Sequence, residues 1–467
     1  MDRMRKTGQV KACHSLEVNQ SKIGLGFEKL DRDVFDPEKA YDRVAESGVK
    51  WIRIQSGWAR TEREPGVYDF AWLDAIVDNL RVRGLKPWLC LCYGNGLYDE
   101  AAAKVFGSVG CPPINNAAQK RAWHDYVSRL TARYRGKITH YEVWNEPDGA
   151  WCWKQGPNGA EYGEFVIATA AAVREGDPAA KVIAGSVCLK DMAWLCAVAA
   201  TGALSHADAL TYHEYSEDET GNIERVRVLR SFCTRFNPDI KIIQGESGSQ
   251  SRSDGAGALA GMAWTPLRQA KQLLRHTLSD LLCEVEFLSY FSCMDMIEAL
   301  NGTVGDKASY LDYGYFGVLG ADFDEDGRST GDYTPKPSYY ALQNIASLFR
   351  EDFNVVDLPV IGQPTLSRRV HRDDRTADLT TGAFSKPNGS SAFVYWKPTP
   401  LLTTTYEGTV TWQVAGVKGQ PRLVNLLDGA IYEIPDAMVQ DEGNGCYRLL
   451  HLPVMDYPLL LTFGDFL

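Results

Sequence analysis

The chain reads as an α/β protein in which a TIM-type (β/α)8 barrel is followed by a C-terminal antiparallel β-sandwich. Three observations carry this reading. From residue 22 to about 350, short apolar runs alternate with longer stretches of helical period. After 350 the helical period vanishes, and short alternating runs separated by glycine-bearing turns replace it. The apolar runs of the first part end in polar residues, which a parallel barrel gathers on one face. With 467 residues, 45% of them hydrophobic, one barrel-sized domain and a smaller companion is the natural division. The boundaries fall at 1–21, 22–350 and 351–467.

The predicted barrel strands are 22–28, 50–55, 86–93, 139–145, 181–187, 209–215, 241–246 and 285–293. Between them lie helices of amphipathic period. Asp36-Pro37 opens one that ends near Gly48, the second runs from Asp69 to Arg83, and the third from Ala117 to Tyr134. Further helices are predicted over 160–176, 191–201, 222–236, 266–282 and 337–349, with Pro266 and Pro337 where a first turn tolerates proline. Eight strands, each followed by a helix, fit a closed barrel better than an open sheet. Beyond 350 the alternating runs are Val355-Val356, Ala392 to Trp396, Thr409 to Val414, Arg422 to Leu426, Tyr447 to Leu452 and Leu459 to Phe463. Residues 7–21 alternate weakly at Val10, Ala12, Leu16 and Val18, and are expected to lend the sandwich a strand.

Composition excludes several function classes. A net charge of −11 argues against nucleic acid, whose binding draws on clustered Lys and Arg. No 18-residue apolar run crosses a membrane. The basic N-terminus leads into Lys11, His14, Glu17 and Asn19 rather than an apolar stretch, so no signal peptide is visible and a cytoplasmic protein is expected. Eleven cysteines, none in a Cys-x-x-Cys pair, read as reduced thiols packed like small hydrophobes.

The candidate chemistry lies at the strand ends. Tyr141-Glu-Val-Trp-Asn-Glu-Pro147 delivers Asn145 and Glu146 to the end of the fourth strand, and Lys241-Ile-Ile-Gln-Gly-Glu-Ser-Gly248 delivers Glu246 to the end of the seventh. Two carboxyls that face each other across a barrel mouth are the requirement for glycosidic bond cleavage, in which one donates a proton and the other attacks or stabilises the sugar cation. Trp144 and Pro147 flank Glu146 with apolar bulk, and desolvation of that kind raises a carboxyl pKa, as suits an acid. Glu246 lies among glycine and serine, with Arg53 and Tyr215 available to hold it ionised as a nucleophile. Asn145 is positioned to bond a sugar 2-hydroxyl. Glu28, Tyr93, Asn95, His213 and the Tyr290-Phe291-Ser292 segment complete the rim.

Trp58, Trp151, Trp153 and Trp264 fall in loops on the same face, where a ring either stacks on a sugar or anchors its own loop; Trp58, Trp151 and Trp264, with Arg53 and Asn95, are taken as substrate-binding candidates. Asp322-Phe-Asp-Glu-Asp-Gly327 has the opening of a calcium loop, but Tyr333 stands at its twelfth position, so a turn is expected. His213 has no His-x-x-x-His or cysteine pair beside it and reads as a hydrogen-bonding pocket residue, not a metal ligand. No nucleotide-binding glycine motif follows a strand, and no cofactor is expected.

The segments 141–148, 52–62, 66–73 and 335–342 resemble the glycoside hydrolases of clan A, most closely family 39 of β-xylosidases and relatives. The resemblance implies retaining double displacement, with Glu146 as acid/base, Glu246 as nucleophile, and Asn145, His213 and Tyr215 in the pocket. The expected function is a retaining exo-glycosidase, β-xylosidase-like, that removes terminal β-linked sugars from oligosaccharides. The alternatives are an arabinosidase, galactosidase, iduronidase-like or endo-acting enzyme on the same scaffold, or a carbohydrate-binding protein without catalysis.

Overall fold

The computed structural model describes residues 1, 4–188, 191–365, 379–404, 406 and 408–467. Eight parallel strands close into a barrel: β1 (Gly24–Gly26), β2 (Trp51–Gln55), β3 (Lys86–Leu91), β4 (His140–Val143), β5 (Lys181–Val187), β6 (Ala209–Glu214), β7 (Lys241–Ser247) and β8 (Leu288–Tyr290), with β8 paired back to β1. The terminal strands are shorter than the apolar runs at 22–28 and 285–293 that predicted them. An apolar run reports burial, whereas strand length reports ladder pairing. Single hydrogen bonds such as Leu288 N–H to the Lys22 carbonyl (2.8 Å) and Cys293 N–H to the Gly26 carbonyl (2.9 Å) continue the contact beyond the regular ladder.

The outer helices follow the sequence closely. Asn116 and Asn158 accept backbone N–H groups at the starts of Ala117–Arg133 and Gly159–Gly176, and Thr265 caps Pro266–Leu282. The first helix is reduced to Tyr41–Glu46 behind a 3-10 turn over Pro37–Lys39.

The sandwich consists of a seven-stranded and a four-stranded antiparallel sheet. Phe393 of the first packs edge-on against Trp412 of the second, with ring centres 4.9 Å apart. The other face of the seven-stranded sheet joins the barrel's core through Phe384, Val394, Trp396 and Leu460. The strand lent by the N-terminus is Arg5–Gln9, paired with Ala430–Glu433, and so lies ahead of the alternation at 10–18 that predicted it. Four of its five residues are exposed, so backbone pairing rather than an apolar face holds it, while Ser15–Glu17 forms a 3-10 turn. Helix Pro266–Leu282 is covered by the sandwich and is buried from Arg268 to Leu281. Its charges are matched at the junction: Lys271 meets Asp456 of the sandwich at 2.7 Å, and Arg275 meets Glu219 of the barrel at 2.6 Å while donating to the Thr399 carbonyl of the sandwich at 2.8 Å.

The acidic loop at 322–327 is the turn of a hairpin between Leu319–Phe323 and Ser329–Pro335, in which the Asp324 carboxylate accepts the N–H groups of Asp326 and Arg328. Among the described residues, no helix is long and apolar enough to cross a membrane.

Candidate active site

A cavity of about 780 Å³ opens at the C-terminal mouth of the barrel, and Asn145, Glu146, Trp151, His213, Tyr215 and Glu246 all line it. Its geometry begins at the end of β4. There Trp144 (φ 70°) and Glu146 (φ 45°) both occupy the left-handed region, which costs free energy for residues with a side chain and persists only where the surroundings impose it. The imposition is visible. The Trp144 indole is fully buried, packs edge-on against Tyr93 and Phe165, and donates to the Cys152 carbonyl at 2.7 Å. The kinked backbone turns Glu146 into the cavity, where the Trp151 indole N–H donates to its Oε2.

Glu246 arrives from β7 and is held from two sides. The Tyr215 hydroxyl donates to its Oε2 at 2.7 Å, and the Arg53 guanidinium pairs with its Oε1. Arg53 is itself fully buried below the cavity and reaches further acceptors: Glu142 at 2.6 Å, Asn145 Oδ1 at 2.8 Å and Glu28 at 3.5 Å. His213 stands between the two glutamates, with Nδ1 2.9 Å from Glu146 Oε1 and 3.5 Å from Glu246 Oε2. One ligating atom from each of Glu146, His213 and Glu246 lies within 4.8 Å of the others. Gly245 permits this approach, since a Cβ there would stand 3.0 Å from His213 Nε2.

The electrostatics follow from the crowding of acids. Burial pushes the His213 imidazolium down, but the facing Glu246 and Glu146 carboxylates outweigh it and the net shift is upward. For Glu146, burial pushes the carboxyl up, yet the His213 hydrogen bond and charge, together with the Trp151 and Cys188 donors, bring it below its ordinary value. The sequence reading of Glu146 as a carboxyl raised by apolar flanks is therefore corrected. Trp144 and Pro147 adjoin it in the chain, but the groups that touch its oxygens are donors. Glu28 lacks such partners: burial raises it to about 8, with Arg53 opposing.

Three further candidates are corrected. Trp58 is fully buried, stacked between Tyr98 and Tyr126, and donates to Glu62 at 2.6 Å. Asn95 donates to the Glu62 carbonyl and caps its own loop at Leu97. Trp264 donates to the Leu259 carbonyl at 3.0 Å under the Arg268 guanidinium. All three brace rim loops and stand outside the cavity lining, and Trp153 is likewise buried; Arg53, also expected to bind substrate, lies beneath the cavity and reaches Glu246, Glu142 and Asn145 instead. Lys29, Glu298, Asn301 and Phe316 line the cavity without having been singled out, because they lie on loops without periodicity; Phe291, noted in the strand-eight rim segment, lines it too. Glu142 was legible in principle, as a lone acid inside a strand of the same barrel that carries a lone arginine, Arg53.

Residues 25–222 match the family described as glycosyl hydrolases family 39. Beta-galactosidase BgaA of Clostridium cellulovorans is 26% identical over 149 residues, which is 28% of this chain and 22% of that protein, so the chain spans about a fifth of this relative's length. The fold is shared with a GH39 enzyme from Xanthomonas axonopodis pv. citri at a TM-score of 0.59 and 15% identity, covering 98% of this chain and 95% of the other. A GH39 beta-xylosidase from Caulobacter crescentus superposes at a TM-score of 0.54 with 17% identity, covering 99% and 98%.

Proposed function

Residues 25–222 belong to the glycosyl hydrolases of family 39, and from that premise we propose that this glycosidase is a retaining, exo-acting enzyme that removes terminal β-linked sugars. One observation carries the reading: an oxygen of Glu146 and an oxygen of Glu246 lie within 4.8 Å of each other. Inversion places a water between its carboxyls and needs roughly 6.5–9.5 Å, whereas retention works at about 5–5.5 Å.

Glu246 attacks the anomeric carbon. Arg53 and Tyr215 hold its carboxyl in place by pairing with separate oxygens. Glu146 protonates the departing oxygen, and the proton it delivers belongs to the Glu146–His213 pair, which titrates as a unit. The same carboxylate then takes a proton from water as the sugar is released. Asn145, fixed by the Arg53 guanidinium, faces the sugar's 2-hydroxyl. Rim loops at 257–259 and 300–301 enclose the cavity, which supports action on chain ends over binding along a polymer. A β-xyloside is the substrate favoured by the GH39 beta-xylosidase fold likeness; a β-galactoside is the second reading, favoured by the kinship with BgaA. The eleven free thiols support a reducing compartment.

The test is chemical rescue. Glu246→Ala abolishes turnover of aryl glycosides, and azide restores it as a glycosyl azide of inverted configuration. Rescue with retained configuration would exchange the two roles. Glu146→Ala keeps its first-step rate on substrates with good leaving groups, and uniform loss across leaving groups would remove it as the acid. A panel of aryl β-xylosides, β-galactosides and α-arabinosides discriminates among the sugars.

A further inference from the structure

We propose that the cavity floor is also a zinc-class cation site, in which Glu146, His213 and Glu246 bind one borderline divalent ion in competition with the sugar. The inference goes beyond the glycosidase reading and stands on the geometry of the three side chains. They come from the ends of β4, β6 and β7, so no local ligand spacing exists in the chain; barrel closure alone brings them together.

Two edges of the ligand triangle measure 2.9 Å and 3.5 Å, and all three atoms lie within 4.8 Å. A tetrahedral zinc ion with bonds of about 2.0–2.2 Å holds its ligand atoms roughly 3.4 Å apart. Rotation of the Glu146 carboxylate, which lengthens its 2.9 Å edge to His213 and closes its edge to Glu246, satisfies it. One imidazole and two carboxylates form the donor set of an open zinc site, whose fourth position here faces the cavity. Magnesium and calcium prefer all-oxygen coordination, and the imidazole nitrogen of His213 disfavours both.

All three side chains are buried and already collected, so binding does not have to order them. Arg53 engages Oε1 of Glu246 and is balanced on its far side by Glu142 at 2.6 Å, so Oε2, which accepts the Tyr215 hydroxyl at 2.7 Å, keeps its second lone pair toward His213. The Cys188 sulfur lines the same cavity and adds a soft donor beside Glu146.

Calorimetric titration of the intact chain with zinc chloride in chelator-free buffer tests the proposal without relying on turnover. The expected result is one zinc per chain, displaced by a product sugar, with affinity reduced at least about tenfold in His213→Asn and in Glu146→Gln, each checked for folding by circular dichroism. Magnesium chloride gives no binding heat. Absence of stoichiometric zinc binding overturns the proposal, as does binding undiminished in the folded variants. Glu146→Gln keeps the test decisive if His213→Asn fails to fold. Failure of sugar hydrolysis in a separate assay would sink the glycosidase reading and leave the zinc titration unaffected.

Discussion

Beneath the cavity, one guanidinium, Arg53, faces three carboxyls from Glu142, Glu246 and Glu28, whereas at the edge of the sandwich Lys271 meets Asp456 of that domain and Arg275 meets Glu219 of the barrel, one cation to one anion. Both networks are buried and use the same residue types. Under the cavity protons stay on neighbouring groups: burial, with the facing Glu246, raises Glu28 to about 8, and the Glu246 and Glu146 carboxylates hold His213 above its ordinary value against its burial. The matched network leaves no proton to move. Imbalance prepares chemistry, and balance fixes one structure against another.

The sharpest way to break this comparison is to remove the cation from each network. Arg53→Met takes the guanidinium from the buried carboxyls of Glu142 and Glu246 and leaves His213 as their nearby cation. We expect hydrolysis to be lost and urea-unfolding stability to fall by more than the roughly 3–5 kcal/mol typical of a single broken buried pair. Retained activity in this variant would show that Glu246 does not depend on its partner. Lys271→Met strands one carboxylate and is expected to cost about 3–5 kcal/mol. The double variant Lys271→Met/Asp456→Asn recovers part of it, because asparagine carries no charge and its single amide oxygen still accepts one of the Leu402 and Tyr406 N–H groups that the two oxygens of Asp456 hold. A double variant as unstable as the single one would refute charge matching as the role of the pair.

The same contrast explains what the sequence could and could not convey. Helix Ala117–Arg133 and strand β7 were legible because an apolar period records which face is buried, and Glu146 and Glu246 were legible because each ends such a run. Trp58 and Trp264 were misread because a loop position says which end of the barrel a residue occupies and nothing about which way its ring turns. The downward shift of Glu146 was hidden for a related reason: its donors, His213 and Trp151, come from another strand and from a later turn, not from its neighbours in the chain. The burial of helix Pro266–Leu282 depends on a domain that begins some seventy residues later.

One buried acid on that helix departs from the balance and gives a pH-dependent test. Asp280 accepts from Tyr212 and Asn222 at 2.7 Å each but has no cation, and burial raises it to about 7. In the unfolded chain its pKa is about 3.9. Between these values the folded state holds the extra proton, so this group's contribution to stability is fully present below about pH 4 and is lost as pH rises toward 7. Asp280→Asn should match the parent at pH 4 and exceed it at pH 8, by a difference on the order of 4 kcal/mol in urea melts. A difference independent of pH would mean that the carboxyl is not protonated in the fold.

The smallest expected effect tests whether the two networks communicate. The Trp396 indole donates to Glu219 at 2.7 Å, and Glu219 lies four residues beyond Tyr215, which bonds Glu246. Trp396→Phe removes that donor and leaves an aromatic ring in place. The cost should be about 1.5–3 kcal/mol, the usual range for a hydrogen bond to a charged group. If the junction holds the loop that carries Tyr215, kcat falls by a small factor while KM is unchanged, because Tyr215 acts on Glu246 rather than on sugar affinity. A stability loss with kcat intact would confine the matched network to holding the domains together, and would leave the cavity's acids to be governed by Arg53 and His213 alone.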